Sequence, residues 1–257
     1  MRCEIFDCPI DVLTKAETVA VVREAMQVQK PMMHVALNVA KLVNMRFDPI
    51  LANDVRSGDL IGIDGMGIIL AARLLGINVK ERVAGIDLFE SVLAACATDG
   101  FRPFFLGATP EIIARAVAAV REDYPTIEFA GHRDGYFKQD QENAVVEEIR
   151  NSGADCLFIG MPTPRKERFL AAHRDNLGVS FVMGVGGSFD VIAGHVERAP
   201  AWVQNSGFEW LYRVYQEPRR MWWRYLRTNT IFAGMMIRAI GERLSTSLHN
   251  PTARTKA

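Results

Sequence analysis

The sequence predicts an α/β fold: an open, mostly parallel sheet flanked by helices, followed by a helical appendage rich in aromatic residues and arginine. Three observations carry this. Short apolar runs alternate with segments of helical period, the pattern of parallel strands joined by crossover helices. Glycine-bearing loops follow several of those runs, where ligands of open α/β sheets bind. Beyond Val185 the composition changes, and residues 208–243 hold eight aromatics and seven arginines.

The expected strands are Met33–Leu37, Leu60–Ile63, Arg102–Leu106, Ile127–Ala130, Cys156–Ile159 and Phe181–Val185, short apolar runs bounded by turn residues. Helices are expected at Asp11–Gln29, Gly67–Leu75, Ile86–Thr98, Pro110–Tyr124 and Gln141–Asn151. Thr109-Pro110-Glu111 is a helix start, with a capping hydroxyl, a proline at the first helical position and an early acid. Pro218 lacks an amide donor and presets a helical φ, so it should end one helix near Gln216 and open the next. On that second helix Arg220, Arg224 and Arg227 share one face, while Trp222, Tyr225 and Leu226 should point the other way. The last dozen residues are expected to fray.

With 257 residues, 49% of them apolar, and a mean hydropathy of +0.04, the chain can bury a sizeable core. The expected division is an α/β domain over 1–207 and an amphipathic appendage over 208–257. The 30 basic and 30 acidic side chains cancel, which disfavours nucleic acid as a partner. The cancellation is uneven: residues 208–257 hold nine basic and three acidic side chains, which suits an anionic surface or ligand but also suits a merely solvated face.

Four cysteines at irregular spacing, Cys3, Cys8, Cys96 and Cys156, read as small buried hydrophobes of a reducing compartment. The N-terminus carries Glu4, Asp7 and Asp11 and no long apolar stretch, so a signal peptide is not expected. The most apolar windows, 59–79 and 228–241, are interrupted by Asp64, Arg73 and Arg238, which argues against a spanning helix and leaves association with a membrane surface open.

Three loops are candidates for chemistry. Asp64 stands just past a strand in I-G-I-D-G-M-G, with Gly65 and Gly67 allowing a tight turn and close ligand approach. A turn aspartate capping the next helix explains it equally well. Gly184, Gly186 and Gly187 in G-V-G-G-S-F-D expose backbone amides that suit a diphosphate, although the spacing is not the dinucleotide fingerprint. The loop from Gly160 through Pro162 to Lys166 and Glu167 is rigid and charged, either a ligand contact or a solvated helix start. No P-loop, H-E-x-x-H, G-x-S-x-G or D-x-D is present, and the five histidines lack ligand spacing, so no metal site or cofactor is expected.

Six motifs in order, L-N-V-A at Leu37–Ala40, D-G-M-G at Asp64–Gly67, R-V-A-G-I-D at Arg82–Asp87, G-V-G-G-S-F-D at Gly184–Asp190, R-A-P-x-W at Arg198–Trp202 and E-W-L-Y-R…E-P-R-R…R-Y-L at Glu209–Leu226, resemble the WecG/TagA/CpsF family of bacterial glycosyltransferases. The resemblance implies a Rossmann-like sheet and an inverting, metal-independent transfer from a UDP-sugar to a polyprenyl-diphosphate-linked saccharide in surface-polysaccharide synthesis. It implies peripheral association with the cytoplasmic face of the membrane and leaves homo-oligomers open. It makes Asp64 the general base, with Asn38 and Arg82 beside it. Gly65, Gly67, Gly107, Gly160, Pro162, Lys166, Glu167, Gly184, Gly186, Gly187 and Asp190 would line the nucleotide-sugar site. Arg213, Arg219, Arg220, Arg224 and Arg227, with Trp222 and Trp223, would meet diphosphate, acceptor and membrane.

One carboxylate suffices for an inverting transfer, and without a metal the leaving diphosphate needs arginines or amides. Two positions depart from the family pattern. Ala36 stands where a threonine is usual, and Lys166 stands where the family's P-K-Q-E loop has glutamine. They leave the donor sugar open. A nicotinamide-dependent oxidoreductase would explain the sheet but not the tail; a non-catalytic nucleotide-sugar-binding component would not need Asp64.

Overall fold

The computed structural model describes residues 1–249, apart from the side chains of Asn205, Arg220, Leu244 and residues 246–249. Of the last dozen residues, expected to fray, 246–249 continue the final helix and the rest lie outside the described residues, as does the side chain of Arg220. The elements in order are β1 (Arg2–Ile5), β2 (Cys8–Asp11), α1 (Lys15–Gln27), β3 (Met32–Leu37), α2 (Val39–Met45), α3 (Pro49–Arg56), β4 (Leu60–Ile63), α4 (Met66–Leu74), α5 (Gly85–Asp99), β5 (Pro103–Gly107) and α6 (Pro110–Asp123). Then follow β6 (Gly131–Arg133), α7 (Glu142–Asn151), β7 (Cys156–Gly160), α8 (Arg165–His173), β8 (Phe181–Gly184), α9 (Ser188–Ile192), α10 (Ala201–Ser206), α11 (Glu209–Gln216) and α12 (Pro218–His249).

Six strands form one parallel sheet in the order β4-β3-β8-β7-β5-β6. The chain fills one edge with β3 and β4, crosses to build β5 and β6, then returns through β7 and β8 to close beside β3. Both faces are covered, as a parallel sheet requires. Leu42, Leu51, Ile68, Val145 and Phe169 from α2, α3, α4, α7 and α8 share one apolar cluster. Val22, Leu88, Val117 and Phe189 from α1, α5, α6 and α9 share the other. In the second, Phe89 packs between Phe105, Phe158 and Phe189 with ring centroids 4.6–5.8 Å apart.

Local chemistry sets the element ends. Thr14 and Glu17 form a reciprocal capping box that starts α1 after Asp11, not at it. Asp11 belongs to β2 instead, and its carboxylate accepts from the Ile61 amide at 2.8 Å along the outer edge of the sheet. Thr109 caps α6 with Pro110 behind it, as its sequence predicts. Gly100, left-handed at φ 77°, ends α5.

One expected strand is displaced and one hairpin was not expected. The strand expected at Ile127–Ala130 forms at Gly131–Arg133: Ile127 is buried in the core and Phe129 lies edge-on to Phe105 at 4.9 Å, so that apolar run packs on the sheet instead of joining it. The hairpin of β1 and β2 was not expected, because its two-residue turn uses left-handed Phe6 and Asp7 (φ 49° and 59°) instead of glycine or asparagine. The face of α12 opposite its arginines divides, with Trp222 and Leu226 exposed and Tyr225 half-buried. The α12 residues Met221 and Thr228 are buried, Met235 joins the first apolar cluster, and Phe232 lies edge-on to Phe6 at 6.3 Å; Tyr225 falls on that inward face. The predicted break at Pro218 is present, with α11 ending at Gln216.

Candidate active site

The loops after β3, β4, β5, β7 and β8 all leave the carboxyl edge of the sheet, where aligned register brings Leu37 opposite Ile63, Gly107 opposite Gly160 and Ile159 opposite Gly184. Two glycines are required by close packing there, one against backbone and one against a ring. Gly107 (φ 133°) lies so near Gly160 that a Cβ would sit 2.6 Å from its carbonyl carbon, and a Cβ on Gly160 would sit 2.4 Å from the Phe189 ring. Gly67, whose Cβ would meet Val39 at 2.5 Å, is accounted for by helix packing, whereas Gly65 (φ 94°) and Gly186 (φ 55°) face open space.

Asp64 follows β4 and is anchored by its amide, which donates to the Leu37 carbonyl at 2.9 Å. It does not cap α4, whose N-cap is Gly65 with no side-chain bond. Its Oδ1 instead accepts from the Gly85 amide at 3.3 Å, at the start of α5. Burial raises its pKa; Glu209 raises it further, and the Gly85 bond, Arg82 and Lys41 oppose the shift.

Asn38 caps α2, its Oδ1 accepting from the Lys41 amide at 3.0 Å. That bond fixes the side chain and orients its amide group. Arg82 donates to Glu209 Oε2 at 2.9 Å, which ties the α4–α5 loop to α11. Arg213 also comes from α11 and lies over the glycine loop, its Nη1 3.1 Å from where a Gly187 Cβ would stand, with the Asp190 carboxylate 3.6 Å from the same point. From α12, Arg224 lies 5.9 Å from the Tyr225 ring centroid.

Below these groups lies a buried charge cluster. Glu167 Oε1 receives both Lys41 Nζ at 3.1 Å and Lys166 Nζ at 3.5 Å, and Thr163 Oγ1 donates to the same oxygen at 3.1 Å. Burial alone would raise Glu167, but the two ammonium groups prevail and hold it at about 2. Burial, Lys41 and Arg224 push Lys166 down to about 8, against the pull of Glu167. His34, buried and pushed down to about 3 by burial and by Lys41, is neutral beside them. The Lys41–Glu167 pair links the Asn38 loop to the Pro162–Lys166 loop, and the Pro162 carbonyl accepts from the Lys166 amide at 3.1 Å.

Among the expected appendage residues, Arg227 stacks at 5.5 Å on the ring of Phe47, which belongs to the body. Arg219, Trp222 and Trp223 are exposed, the latter two at 56% and 66%, alongside Trp202, Tyr215 and Leu226. Two contacts escaped sequence reasoning. Arg198 pairs with Asp87, joining two of the six motifs. Tyr225, 5.6 Å from Trp210, feels Arg224, Arg213, Asp64 and Glu209; burial, its largest influence, raises its phenol. The odd position of Tyr225 on the inward stripe with Met221 and Thr228 was the available signal.

Among the described residues no group of three or more His, Cys, Asp or Glu comes together as a metal site, and no helix is long and apolar enough to cross a membrane. Fold and site define an α/β enzyme whose candidate residues gather at the carboxyl edge of a parallel sheet, against an arginine-bearing helical C-terminal region. Residues 3–246 match the model of the glycosyl transferase WecG/TagA/CpsF family, to which this chain belongs. It is similar to the N-acetylglucosaminyldiphosphoundecaprenol N-acetyl-beta-D-mannosaminyltransferase of Bacillus spizizenii, 37% identical over 181 residues that cover 70% of this chain and 67% of that one. The chain is a glycosyltransferase.

Proposed function

We propose that the protein transfers a sugar with inversion, and without a metal, from a UDP-sugar to a polyprenyl-diphosphate-linked saccharide at the membrane surface. The observation that carries this is Asp64 at the carboxyl edge of the sheet, its Oδ1 held by the Gly85 amide at 3.3 Å, its carboxyl raised by burial and neighboured by Glu209 and Arg82. Asp64 takes the proton of the acceptor hydroxyl while that oxygen bonds to the anomeric carbon from the face opposite the leaving group. The bond from anomeric carbon to diphosphate oxygen breaks, its electron pair leaves with UDP, and the proton on Asp64 passes to solvent. Arg213 over Gly187, with Arg224, meets the charge that develops on the diphosphate. Asn38 and Arg82 orient the reactants.

The acceptor reading is supported by the relative, whose name describes a diphosphoundecaprenol-linked acceptor. Peripheral association is supported by Trp202, Tyr215, Trp222, Trp223 and Leu226, exposed beside arginines of the appendage. Aromatics settle at the headgroup level, and each nearby cation adds about 1 kcal/mol on an anionic leaflet. The test incubates full-length protein with a panel of UDP-sugars and a short-chain polyprenyl-diphosphate sugar in detergent with EDTA. Mass and anomeric configuration of the product are read. One sugar added with inversion is expected; no transfer with any donor, or transfer that needs added Mg²⁺ or Mn²⁺, would overturn the proposal.

A further inference from the structure

Away from the candidate active site, a surface pocket of about 180 Å³ opens where the turn between β1 and β2 meets α2 and the end of α3. Leu42 and Met45 in its lining belong to the core, Phe6 and Asp7 come from the turn, and the exposed Arg46 and Arg56 bring two guanidinium groups. Arg56 Nε donates to the Asp7 carbonyl at 2.8 Å, which ties the turn to α3. Among the described residues, the Nη groups of Arg56 and the whole Arg46 guanidinium have no hydrogen bond or ion pair, and the Asp7 carboxylate pairs with neither arginine. Two unpaired guanidinium groups in one pocket repel each other, and their planar forks match the oxygens of a phosphate.

The surroundings of the pocket indicate which phosphate. Phe6 lies edge-on to Phe232 of α12 at 6.3 Å, and Phe47, which follows Arg46, carries Arg227 of α12 at 5.5 Å from its ring centroid. Phe47 and Ile50 are 60% and 61% exposed at the corner between α2 and α3. A free phosphate would leave both apolar side chains in water. A phospholipid presents its phosphate to the arginines and its glycerol and acyl carbons to the apolar pair, and Arg227 adds a third cation that favours an anionic lipid.

Resting on the reading that the protein works at a membrane surface, we propose that this pocket binds the headgroup of an anionic phospholipid. Arg46 and Arg56 hold the phosphate, and Phe47 and Ile50 enter the layer beside it. The α/β body then touches the bilayer as well as the appendage does, and a second point of attachment removes a rotation that a single surface helix leaves free.

The experiment measures cosedimentation of full-length protein with vesicles of phosphatidylcholine, with and without phosphatidylglycerol. Calorimetry measures binding of glycerophosphoglycerol, the soluble headgroup, and of inorganic phosphate. The variants are Arg46→Gln with Arg56→Gln, Arg46→Gln alone, Phe47→Ser with Ile50→Ser, and Lys30→Gln, which removes an exposed cation just before β3, at the opposite edge of the sheet. Arg46→Gln alone breaks no side-chain bond among the described residues, so its loss of binding is not a loss of fold. Binding to phosphatidylglycerol vesicles should weaken about tenfold or more in the double arginine variant, about fivefold in Arg46→Gln and severalfold in the apolar pair. Lys30→Gln should stay within about twofold of wild type, and glycerophosphoglycerol should bind wild type but not the double arginine variant. Equal vesicle binding by the double arginine variant and Lys30→Gln would overturn the proposal and leave the membrane reading standing. Inorganic phosphate that binds through the two arginines as tightly as glycerophosphoglycerol, with vesicle binding unchanged in the variants, would make this a free-phosphate site and overturn the lipid assignment. Wild type that binds neither vesicle would overturn both readings.

Discussion

The floor of the cleft and its roof are built on opposite principles. On the floor, Lys41, Glu167 and Lys166 are almost wholly buried, paired to one another and fixed by hydrogen bonds from two loops. On the roof, Trp222, Trp223, Arg219 and Arg224 are largely exposed, and the contacts that hold α12 down come from a narrow stripe of Met221, Thr228, Phe232 and Met235. The floor's charges are buried and cross-linked, whereas the roof's stay at the surface. Arg82 and Glu209 join the two regions, and Asp64 lies at the seam.

Breaking the seam should have the largest effect. Asp64→Asn is expected to lower turnover by about 10²–10⁴-fold while leaving donor affinity within about twofold, checked by steady-state kinetics and calorimetry. Breaking the floor comes next. Lys41→Met leaves Glu167 buried with less compensation, and denaturant unfolding should show a loss of about 3–5 kcal/mol. The same floor has an acid limit: Glu167, held at about 2 against an unfolded value of 4.5, contributes stability above pH 4.5 that is lost as pH falls toward 2. Glu167→Gln should flatten that limb of the stability curve.

The joint between regions should yield a smaller effect. A double-mutant cycle of Arg82→Ala and Glu209→Gln read in kcat/KM is expected to give a coupling of about 0.5–3 kcal/mol; strict additivity would mean that floor and roof act independently. Smallest is the roof surface, where Arg219→Ala should weaken binding to anionic vesicles about fivefold at low salt and little at high salt.

The same contrast explains what the sequence made legible. Five of six sheet strands and the starts of α6 and α12 were readable because apolar runs, Thr109-Pro110 and Pro218 act locally. The shift of β6 was not, since whether Phe129 joins the ladder or packs on Phe105 depends on α6 and β5, distant in sequence. Asp64 was legible as a candidate from its place after a strand, but spacing could not tell a helix cap from a proton acceptor. Its bond to the Gly85 amide, 21 residues away, and its neighbours Glu209 and Arg82 are set by the fold and not by local sequence. Lys166 and Glu167 looked equally like a solvated helix start, because nothing local shows that Lys41 lies across from them. That Tyr225 is half-buried while Trp222 and Leu226 are exposed was not legible, because only packing of α12 against the body distinguishes positions on the face opposite its arginines.

The most direct test of Asp64 as the base is the pH dependence of single-turnover transfer. The base works only when deprotonated, so a raised carboxyl moves the acid limb upward. The wild-type rate should fall on the acid side with a midpoint clearly above the ordinary aspartate value of about 4, and Asp64→Asn should lack that limb. A wild-type rate that stays level to below pH 4, or an identical limb in Asp64→Asn, would contradict the account.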